Sequence, residues 1–491
     1  MVTPYDRTVR VGQPPVVVDG VRADEGLALL AEQVDRVAWL DRSAFLTASF
    51  GHPAPWLHHV PASPLLRTEP SRTDLRRTES RRTDSRPTGP PRTNSPRTNS
   101  PCTNSPRTEG PPPPPLVPTA RDAEGSRRFA VAFAPEHGSH ATDWAAAHAH
   151  RLLAPDAAVT AHAADKIDAM ELLRTARVAV PEHVIIPARD RRGARAYWPS
   201  AWPGAVLQRR ENNLIGRGTL PVTGPVALAA ALDAWPGHEL RLSRMVPGLS
   251  LTVSACVGGD RTVVAAVSHQ LVGLPELTPG WGTHCGNQLL APDDLPAGLY
   301  ERARQTAYDT GEALRERGYR GVFGLDLLED GGDVLAVEIN PRFQTVSSLV
   351  QAAEHAAGLL PTLGLHILAS LLPELPASCP SRTPVPRLSQ LVVHADRHTT
   401  LTAVPAPGRY RLGPDGHLHG PDPAGPGPLT ALRPAEALWW PHALPGEVEP
   451  GDELLLMQFG DHLCAPTPRP ALGPTAHAWR NAAVTAFGSR T

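Results

Sequence analysis

Three oxygen-bearing side chains in one stretch of the chain have the types and the spacing of a metal site. Asp326 lies in an apolar run at residues 321–328, and Glu338 and Asn340 alternate in a second run at residues 334–340. The segment E-D-G-G-D between the runs has a turn composition, with glycine available for a positive φ. The pattern therefore predicts a β-hairpin that carries these three side chains.

The pairing of this hairpin would bring the acidic side chains together. With residues 331–333 as the loop, Asp326 lies opposite Glu338, and Asn340 points to the same face. Like charges opposite each other destabilise a sheet, and burial makes them more costly. A bound Mg²⁺ (or Mn²⁺) would resolve the conflict, because such ions take oxygen ligands. A proline then ends the ladder, so we expect Arg342 at the rim as a fixed cation for phosphate or carboxylate.

A single lysine lies upstream of the hairpin. Lys166 is the only lysine of the chain, whose other basic residues are all arginine. It lies in A-A-D-K-I-D, where Asp165 can cap a helix that has an apolar stripe. This context excludes a Walker A loop, which needs G-K-[ST], and the V-A-I-K strand of protein kinases is missing. A solvated lysine at a helix start is the alternative, but the scarcity of lysine favours a functional role.

A glycine-containing loop and a Pro-Gly break follow the lysine. Residues 205–219, A-V-L-Q-R-R-E-N-N-L-I-G-R-G-T, predict a strand and then a loop. Gly216 and Gly218 let successive backbone N–H groups wrap an anion, and Arg217 between them adds charge. Residues 239–256 predict two strands on either side of the Pro-Gly break.

The order of these segments resembles that of the ATP-grasp superfamily of carboxylate–amine ligases. The segments are the D-K helix, the G-R-G-T loop, the Pro-Gly break and the hairpin ending in V-E-I-N-P-R. The resemblance covers roughly residues 160–375. It implies that Mg²⁺ or Mn²⁺ is held by Asp326, Glu338 and Asn340. It also implies that Arg342 holds an acyl phosphate or the substrate carboxylate.

The resemblance further implies how ATP is bound. The residues implied in phosphate binding are Lys166, Gln208, Gly216, Arg217, Gly218 and Thr219, and those implied beside adenine are Met245 and Val246. Many members of the family have a lysine at the position of Gln208, which can hydrogen-bond phosphate or adenine but carries no charge. Either Arg209 or Arg217 can supply the missing charge. No residue matches the glutamate that often binds the ribose in this family.

The implied fold class is α/β, of the α+β ATP-grasp type. We expect an N-terminal α/β pre-ATP-grasp domain at residues 1–159, a two-lobed ATP-grasp core at 160–380 and a small β-rich C-terminal domain at 381–491. The secondary-structure expectations that matter below are strands at residues 128–133, 157–160, 388–394 and 453–457, and helices at residues 142–153, 300–317, 346–358 and 362–372. The C-terminal domain shows no chemistry in its sequence, and its Trp439-Trp440 pair is interpreted as core.

A tandem pentapeptide at residues 64–117 interrupts the N-terminal domain. Its copies include RTDLR, RTESR and RTNSP, and the run ends in five prolines. Almost nothing in it can be buried, so we expect disorder. A tolerated expansion in a surface loop is the preferred interpretation, and contact with acidic or phosphorylated partners is the alternative.

Composition excludes several other classes. The formal net charge is −2, so no basic excess indicates nucleic acid. The five cysteines have no C-x-x-C spacing, which predicts a reducing compartment and no zinc site. No basic-then-apolar leader or run of membrane length is present, so we expect a cytoplasmic protein without membrane contacts. Whether it forms a homo-oligomer stays open.

These observations predict an ATP-dependent ligase that joins a small-molecule carboxylate to a small-molecule amine through an acyl phosphate, releasing ADP and phosphate. Peptide or amide formation in natural-product or amino-acid metabolism is the expected setting. Two alternatives stay open, namely a catalytically silent nucleotide-binding module and an interaction protein that works through its Arg/Pro-rich repeat. The sequence names neither substrate, because fold does not fix function.

Overall fold

The computed structural model of the protein describes residues 18–41, 44–61, 127–188, 193–211 and 218–490. The pentapeptide repeat at residues 64–117 lies outside these ranges, and so do Gly216 and Arg217. Within the described ranges, none of the helices combines the length and the hydropathy needed to span a bilayer.

A four-stranded parallel sheet forms the N-terminal part. Its elements are α1 (Ala23–Gln33), β1 (Arg36–Asp41), α2 (Phe45–Ala48), β2 (Leu57–Pro61), β3 (Arg128–Ala132), α3 (His140–Ala147), β4 (Arg151–Leu152) and α4 (Ala157–Ala164). The strand order is β2-β1-β3-β4, so the direction of winding reverses between β1 and β3. In open parallel sheets, ligands bind in the crevice that such a reversal leaves outside the carboxyl ends of the strands.

Two secondary-structure predictions in this part are wrong. The expected strand at residues 157–160 is the start of α4, because Asp156 accepts hydrogen bonds from the backbone N–H groups of Ala158 (2.9 Å) and Val159 (3.1 Å) and so caps a helix. The expected helix at residues 142–153 is shorter, since α3 ends at Ala147 and β4 follows it. The expected strand at residues 128–133 is confirmed as β3.

A second four-stranded sheet, antiparallel throughout, follows. Its elements are α5 (Asp168–Thr175), β5 (His183–Ile186), α6 (Ala194–Tyr197), β6 (Ala205–Arg209), β7 (Thr219–Val222), α7 (Pro225–Ala234) and β8 (Leu240–Arg244), with strand order β5-β8-β6-β7. Leu207, Leu228 and Leu242 are fully buried between this sheet and α7. The small sheet therefore has a hydrophobic core of its own.

The largest sheet begins with the next segment. Its first elements are β9 (Ser250–Val257), β10 (Thr262–Val272), β11 (His284–Leu289), α8 (Leu299–Glu316), β12 (Gly321–Asp330), β13 (Asp333–Asn340), α9 (Ser347–Ala356) and α10 (Thr362–Leu371). The strands run in the order β13-β12-β9-β10-β11. The three helices predicted at residues 300–317, 346–358 and 362–372 are confirmed as α8, α9 and α10 within two residues at each end.

The C-terminal part extends the same sheet. Its elements are β14 (Ser389–His394), β15 (Thr399–Ala403), β16 (Gly408–Leu412), β17 (Leu418–His419), β18 (Glu436–Pro441), β19 (Gly446–Val448), β20 (Glu453–Phe459), α11 (Pro474–Ala486) and β21 (Gly488–Arg490), with short 3-10 helices at Pro292–Asp294 and Leu429–Ala431. Among the described strands the largest sheet continues β11-β14-β20-β18-β16-β17 and reaches ten strands. It therefore runs across residue 380, where we expected a domain boundary. Trp439 and Trp440 are both buried, as expected for core.

Aromatic packing fixes the N-terminal sheet against the end of the β12–β13 hairpin. The ring of Trp39 in β1 meets the ring of Phe343 edge to face, with centroids 5.1 Å apart, and both side chains are buried. Gln351 of α9 donates to the Leu46 carbonyl of α2 at 2.9 Å. The carboxyl ends of β1 and β3 therefore lie beside the residues that follow β13.

Candidate functional site

The β12–β13 hairpin carries the predicted acidic pair, but its register differs from the expected one. Asp330 pairs with Asp333, so the loop has two residues, both glycine with positive φ, and not three. A β-bulge opposite the step from Asp326 to Leu327 leaves Val337 as the extra residue. This bulge restores the predicted pairing of Asp326 with Glu338. The facing of the two acids is therefore confirmed, although by a different backbone path.

Asp326 is held by neutral donors beside the second carboxylate. Its Oδ1 accepts from the Thr252 hydroxyl at 2.9 Å, and its Oδ2 accepts from the Asn340 amide at 3.0 Å. Burial, and then the charge of Glu338, raise the pKa of Asp326 above its ordinary value, while the bond from Thr252 lowers it less. The site therefore concentrates negative charge that the neutral donors do not neutralise.

The only lysine of the chain approaches this pair. Lys166 Nζ lies 3.5 Å from Glu338 Oε2, and the lysine side chain is 3% exposed. Its backbone is fixed on both sides: its N–H donates to the Arg210 carbonyl at 3.0 Å, and Asp165 accepts from the next two N–H groups of the turn that enters α5. The interpretation of Lys166 as a solvated helix-start lysine is wrong, because its side chain is buried.

A buried arginine that the sequence reasoning missed connects the lysine, Gln208 and the hairpin. Arg241 pairs across the small sheet with Gln208 and is 2% exposed. Its guanidinium donates to the Lys166 carbonyl at 2.6 Å, to the Gln208 side-chain oxygen and to the carbonyl of the bulged Val337 at 3.1 Å. Burial lowers the pKa of Arg241 to about 10 against the opposing effect of Glu338, so the group stays charged at neutral pH.

Arg342 is more enclosed than we expected. Its side chain is 11% exposed, and its Nε lies 3.0 Å from Oε1 of the equally buried Glu136. The guanidinium also donates to the Asn340 side-chain oxygen at 3.0 Å and to the Phe343 carbonyl at 3.2 Å. The charge of Arg342 is thus already balanced by Glu136, on the loop after β3, and the residue is not a free cation at the rim.

A cavity of about 320 Å³ lies beside the hairpin. Of the predicted site residues, those that line it are Lys166, Gln208, Thr219, Asp326, Glu338, Asn340 and Arg342. The crevice side is formed by residues after β1 and β3, including His137 and Gly138, as the strand order predicts. Met245 and Val246, expected beside adenine, do not line it, and neither does Gly218. Gly218 has φ +75° and accepts from the Arg209 N–H at 2.9 Å, so its main chain is tied to the end of β6.

The donor set around the hairpin fits a hard divalent cation that keeps other ligands. The described ranges contain no group of three or more His, Cys, Asp or Glu side chains placed to hold a metal ion by themselves. The candidate oxygen ligands are the two facing carboxylates and the nearby Gln344 Oε1. This amide oxygen is buried without a hydrogen-bond partner. The Asn340 amide turns its nitrogen to Asp326 and its oxygen to Arg342. Water or phosphate oxygens would complete the shell.

Comparisons with known proteins bear on the family and the fold of this chain. Residues 228–346 match the family model described as the ATP-grasp domain. The chain contains an ATP-grasp domain. A search of curated protein sequences gave no match.

Solved structures share the fold at low sequence identity. N5-carboxyaminoimidazole ribonucleotide synthetase from Thermus thermophilus is 15% identical with a TM-score of 0.50, over 93% of this chain and 99% of that chain. An ADP complex of another N5-carboxyaminoimidazole ribonucleotide synthetase is 9% identical with a TM-score of 0.51, over 92% and 97%. The biotin carboxylase domain of Hydrogenobacter thermophilus 2-oxoglutarate carboxylase, with MgADP, ADP and bicarbonate, is 13% identical with a TM-score of 0.50, over 74% and 75%. Identities this low establish the ATP-grasp fold alone.

Several cavity residues around the ATP-grasp domain had no role in the sequence interpretation. They are His137 after β3, Gln344 after the hairpin, His442 after β18 and Glu453 at the start of β20. A signal existed only for Gln344, since Glu338, Asn340, Arg342 and Gln344 continue one alternation past the proline. The others lie far apart in sequence and meet only through the fold. Burial raises the pKa of the Cys285 thiol to about 11, which disfavours its thiolate form.

Proposed function

We propose that the protein is an ATP-dependent ligase that joins a carboxylate to an amine through an acyl phosphate. The observation that carries the proposal is the meeting of Lys166, Asp326 and Glu338 in one cavity of an ATP-grasp domain. Phosphoryl transfer needs positioning and charge neutralisation more than covalent help from the protein. A buried cation beside two facing carboxylates supplies both.

The residues of the cavity divide the work in this proposal. Lys166 would bind ATP phosphate oxygens, with its main chain fixed by Arg241. The side chains of Gln208 and Thr219, whose Nε2 and Oγ1 are 3.4 Å apart, would donate to the same phosphates from the small sheet. Arg342, balanced by Glu136, would bind the carboxylate substrate, because its side chain lines the cavity.

A magnesium ion would be held by Asp326 and Glu338, with Asn340 or Gln344 as a further oxygen donor. When bound, such an ion neutralises the charge of the nucleotide phosphates. Asn340 would present its oxygen only after its amide rotates, because that oxygen now accepts from Arg342. Thr252 keeps Asp326 oriented in either arrangement, since it donates from the neighbouring strand β9.

The solved neighbours support the reaction class as a proposal. They are a ribonucleotide synthetase and a biotin carboxylase domain, the latter with MgADP and bicarbonate. In the proposed reaction a carboxylate oxygen attacks the terminal phosphorus of ATP, and ADP leaves. The amine nitrogen then attacks the acyl carbon, and phosphate leaves.

Calorimetric titration of ATP tests the binding half of the proposal. We expect wild-type protein to bind ATP only with Mg²⁺, and Glu338→Ala to weaken binding by more than about tenfold, or roughly 1.4 kcal/mol. Asp333→Ala is the matched control, because Asp333 is an exposed acid on the same strand. No binding by the wild type, or equal binding by Glu338→Ala, would contradict the ligase proposal. Magnesium-dependent binding without ADP release across carboxylate and amine mixtures would favour the silent nucleotide-binding module.

A further inference from the structure

The cavity has polar residues that the proposed ATP contacts do not use. His442 follows β18, Glu453 begins β20, and His284 and Asn287 lie on β11. His284 Nε2 and Asn287 Oδ1 are 2.7 Å apart. All four lie on or directly after strands of the largest sheet and line the same cavity as the hairpin. This side of the cavity is therefore available for the second substrate.

Strand pairing fixes His442 and Glu453 beside each other. β18 pairs with β20, with Pro441 opposite Leu455, and the His442 N–H donates to the Leu454 carbonyl at 2.9 Å. His442 Nδ1 lies 3.0 Å from Glu453 Oε2. The histidine side chain is 9% exposed and the glutamate side chain 25% exposed. The dyad is thus rigid and still open to the cavity.

The charge of Glu453 determines which nitrogen of His442 is free. Burial alone would raise the pKa of Glu453, but the hydrogen bond from His442 and the nearby His394 and His284 lower it to about 2. A carboxylate at neutral pH accepts the proton of Nδ1, so the lone pair lies on Nε2. Among the described residues, Nε2 of His442 has no hydrogen-bond partner.

We propose that His442, oriented by Glu453, is the base that accepts a proton from a primary amine substrate. This inference rests on the proposed ligase function and deepens it. The amine nitrogen bonds to the acyl carbon, the carbon–oxygen bond to phosphate breaks, and phosphate leaves with the electron pair. The proton lost by nitrogen passes to Nε2 of His442. The Glu453 carboxylate also attracts the ammonium form of the amine, which selects a cationic acceptor.

The test compares two nucleophiles on the full-length protein. Hydroxylamine needs no base, and it converts any activated carboxylate to a hydroxamate. The carboxylate probes are bicarbonate, short fatty acids and the proteinogenic amino acids, and the amine probes are those amino acids and primary alkylamines. The variants are His442→Gln and Glu453→Gln, with His398→Gln as control, because His398 is exposed and does not line the cavity. Magnesium-dependent ATP binding is measured for each.

We expect His442→Gln to lower amide formation about 100-fold near pH 7, with hydroxamate formation unchanged within about twofold. The amide deficit should shrink near pH 9, where more free amine is present. Glu453→Gln should reproduce part of the loss of amide formation, because His442 loses its orienting partner. The other titratable groups near the dyad, His394 and His284, are retained in every variant.

Each other outcome overturns the inference. Equal losses of hydroxamate and amide would assign the dyad a structural role, and an amide deficit that does not change with pH would exclude a proton acceptor. Absence of hydroxamate from wild-type protein that binds ATP would refute the ligase function, and the role of His442 would fall with it. The two proposals therefore fail in different assays.

Discussion

Replacing the only lysine should move metal affinity and ATP affinity in opposite directions. Lys166 Nζ lies 3.5 Å from a Glu338 oxygen, with side chains 3% and 20% exposed. At an effective dielectric constant of about 20, such a pair attracts by about 5 kcal/mol, and in water by about 1 kcal/mol. Because Glu338 is partly solvated, we expect Lys166→Met to lower the free energy of unfolding by about 1–3 kcal/mol.

The same substitution leaves Asp326 and Glu338 facing each other without a nearby ammonium. A divalent cation then meets two carboxylates and no competing charge, so it should bind the variant more tightly than the wild type. At 100 times its dissociation constant, a ligand stabilises the folded state by about 2.7 kcal/mol. Mn²⁺ without nucleotide should therefore recover most of the lost stability. ATP affinity should fall more than about tenfold, because a phosphate contact is gone.

Urea unfolding across a Mn²⁺ titration, with ATP calorimetry, measures both effects. Arg174→Met is the control, since Arg174 is an exposed cation of α5. In a Glu338→Gln background, the gain in Mn²⁺ affinity from Lys166→Met should largely disappear. If Mn²⁺ stabilises Lys166→Met and the wild type equally, the ammonium group of Lys166 does not compete with the metal for the two carboxylates, and the reasoning is refuted. A variant that loses both affinities together would indicate general damage to the fold.

Three further predictions follow from single contacts. Arg241→Met should cost roughly 2–4 kcal/mol in urea unfolding, because one buried and two partly buried acceptors lose their donor, whereas Arg209→Met, at a partly exposed position, should cost little. Burial raises the pKa of Glu354 from 4.5 to about 8, although the hydrogen bonds from Thr362 lower it. The Glu354 carboxyl group therefore loses its proton at a lower pH in the unfolded protein than in the folded protein. The protonated Glu354 side chain therefore stabilises the folded state fully below pH 4.5, and this stabilisation declines by up to about 1.4 kcal/mol per pH unit as the pH rises to about 8. When urea unfolding is measured over a series of pH values, Glu354→Gln should remove this decline. Deleting residues 64–117 should leave ATP binding and turnover unchanged, and a loss of either would contradict the interpretation of the repeat as a tolerated expansion in a surface loop.

The hairpin could be predicted from the sequence because strand alternation and turn composition are local signals. To predict that Asp326, Glu338 and Asn340 share one face, only the pairing register of the two strands was needed. The apolar runs indicated that register. The exchange of a three-residue loop for a two-residue Gly-Gly turn plus a bulge at Val337 could not be predicted. Both paths give the same pairing of acids, so the pattern could not distinguish them.

The second wall of the cavity could not be predicted, because its residues meet only through strand pairing. His442 and Glu453 are separated by a loop and the short strand β19 that joins another sheet. Their contact requires that β18 pair with β20, which no periodicity in either strand specifies. The wrongly predicted strand at residues 157–160 is a different case. There, the capping signal of Asp156 was local, and the Ala-rich sequence after it favours a helix.

Arg241 places a buried cation beside Gln208, which carries no charge of its own. Gln208 and Arg241 are direct partners on neighbouring strands, so the charge lies next to position 208 on β8. The bulge at Val337 frees a carbonyl from the β12–β13 ladder, and Arg241 donates to that carbonyl. One buried guanidinium thus provides a hydrogen-bond donor for the carbonyl at the bulge, and this bulge aligns Glu338 with Asp326. It also holds the main chain of Lys166, which makes the bulge, the lysine and position 208 one coupled unit.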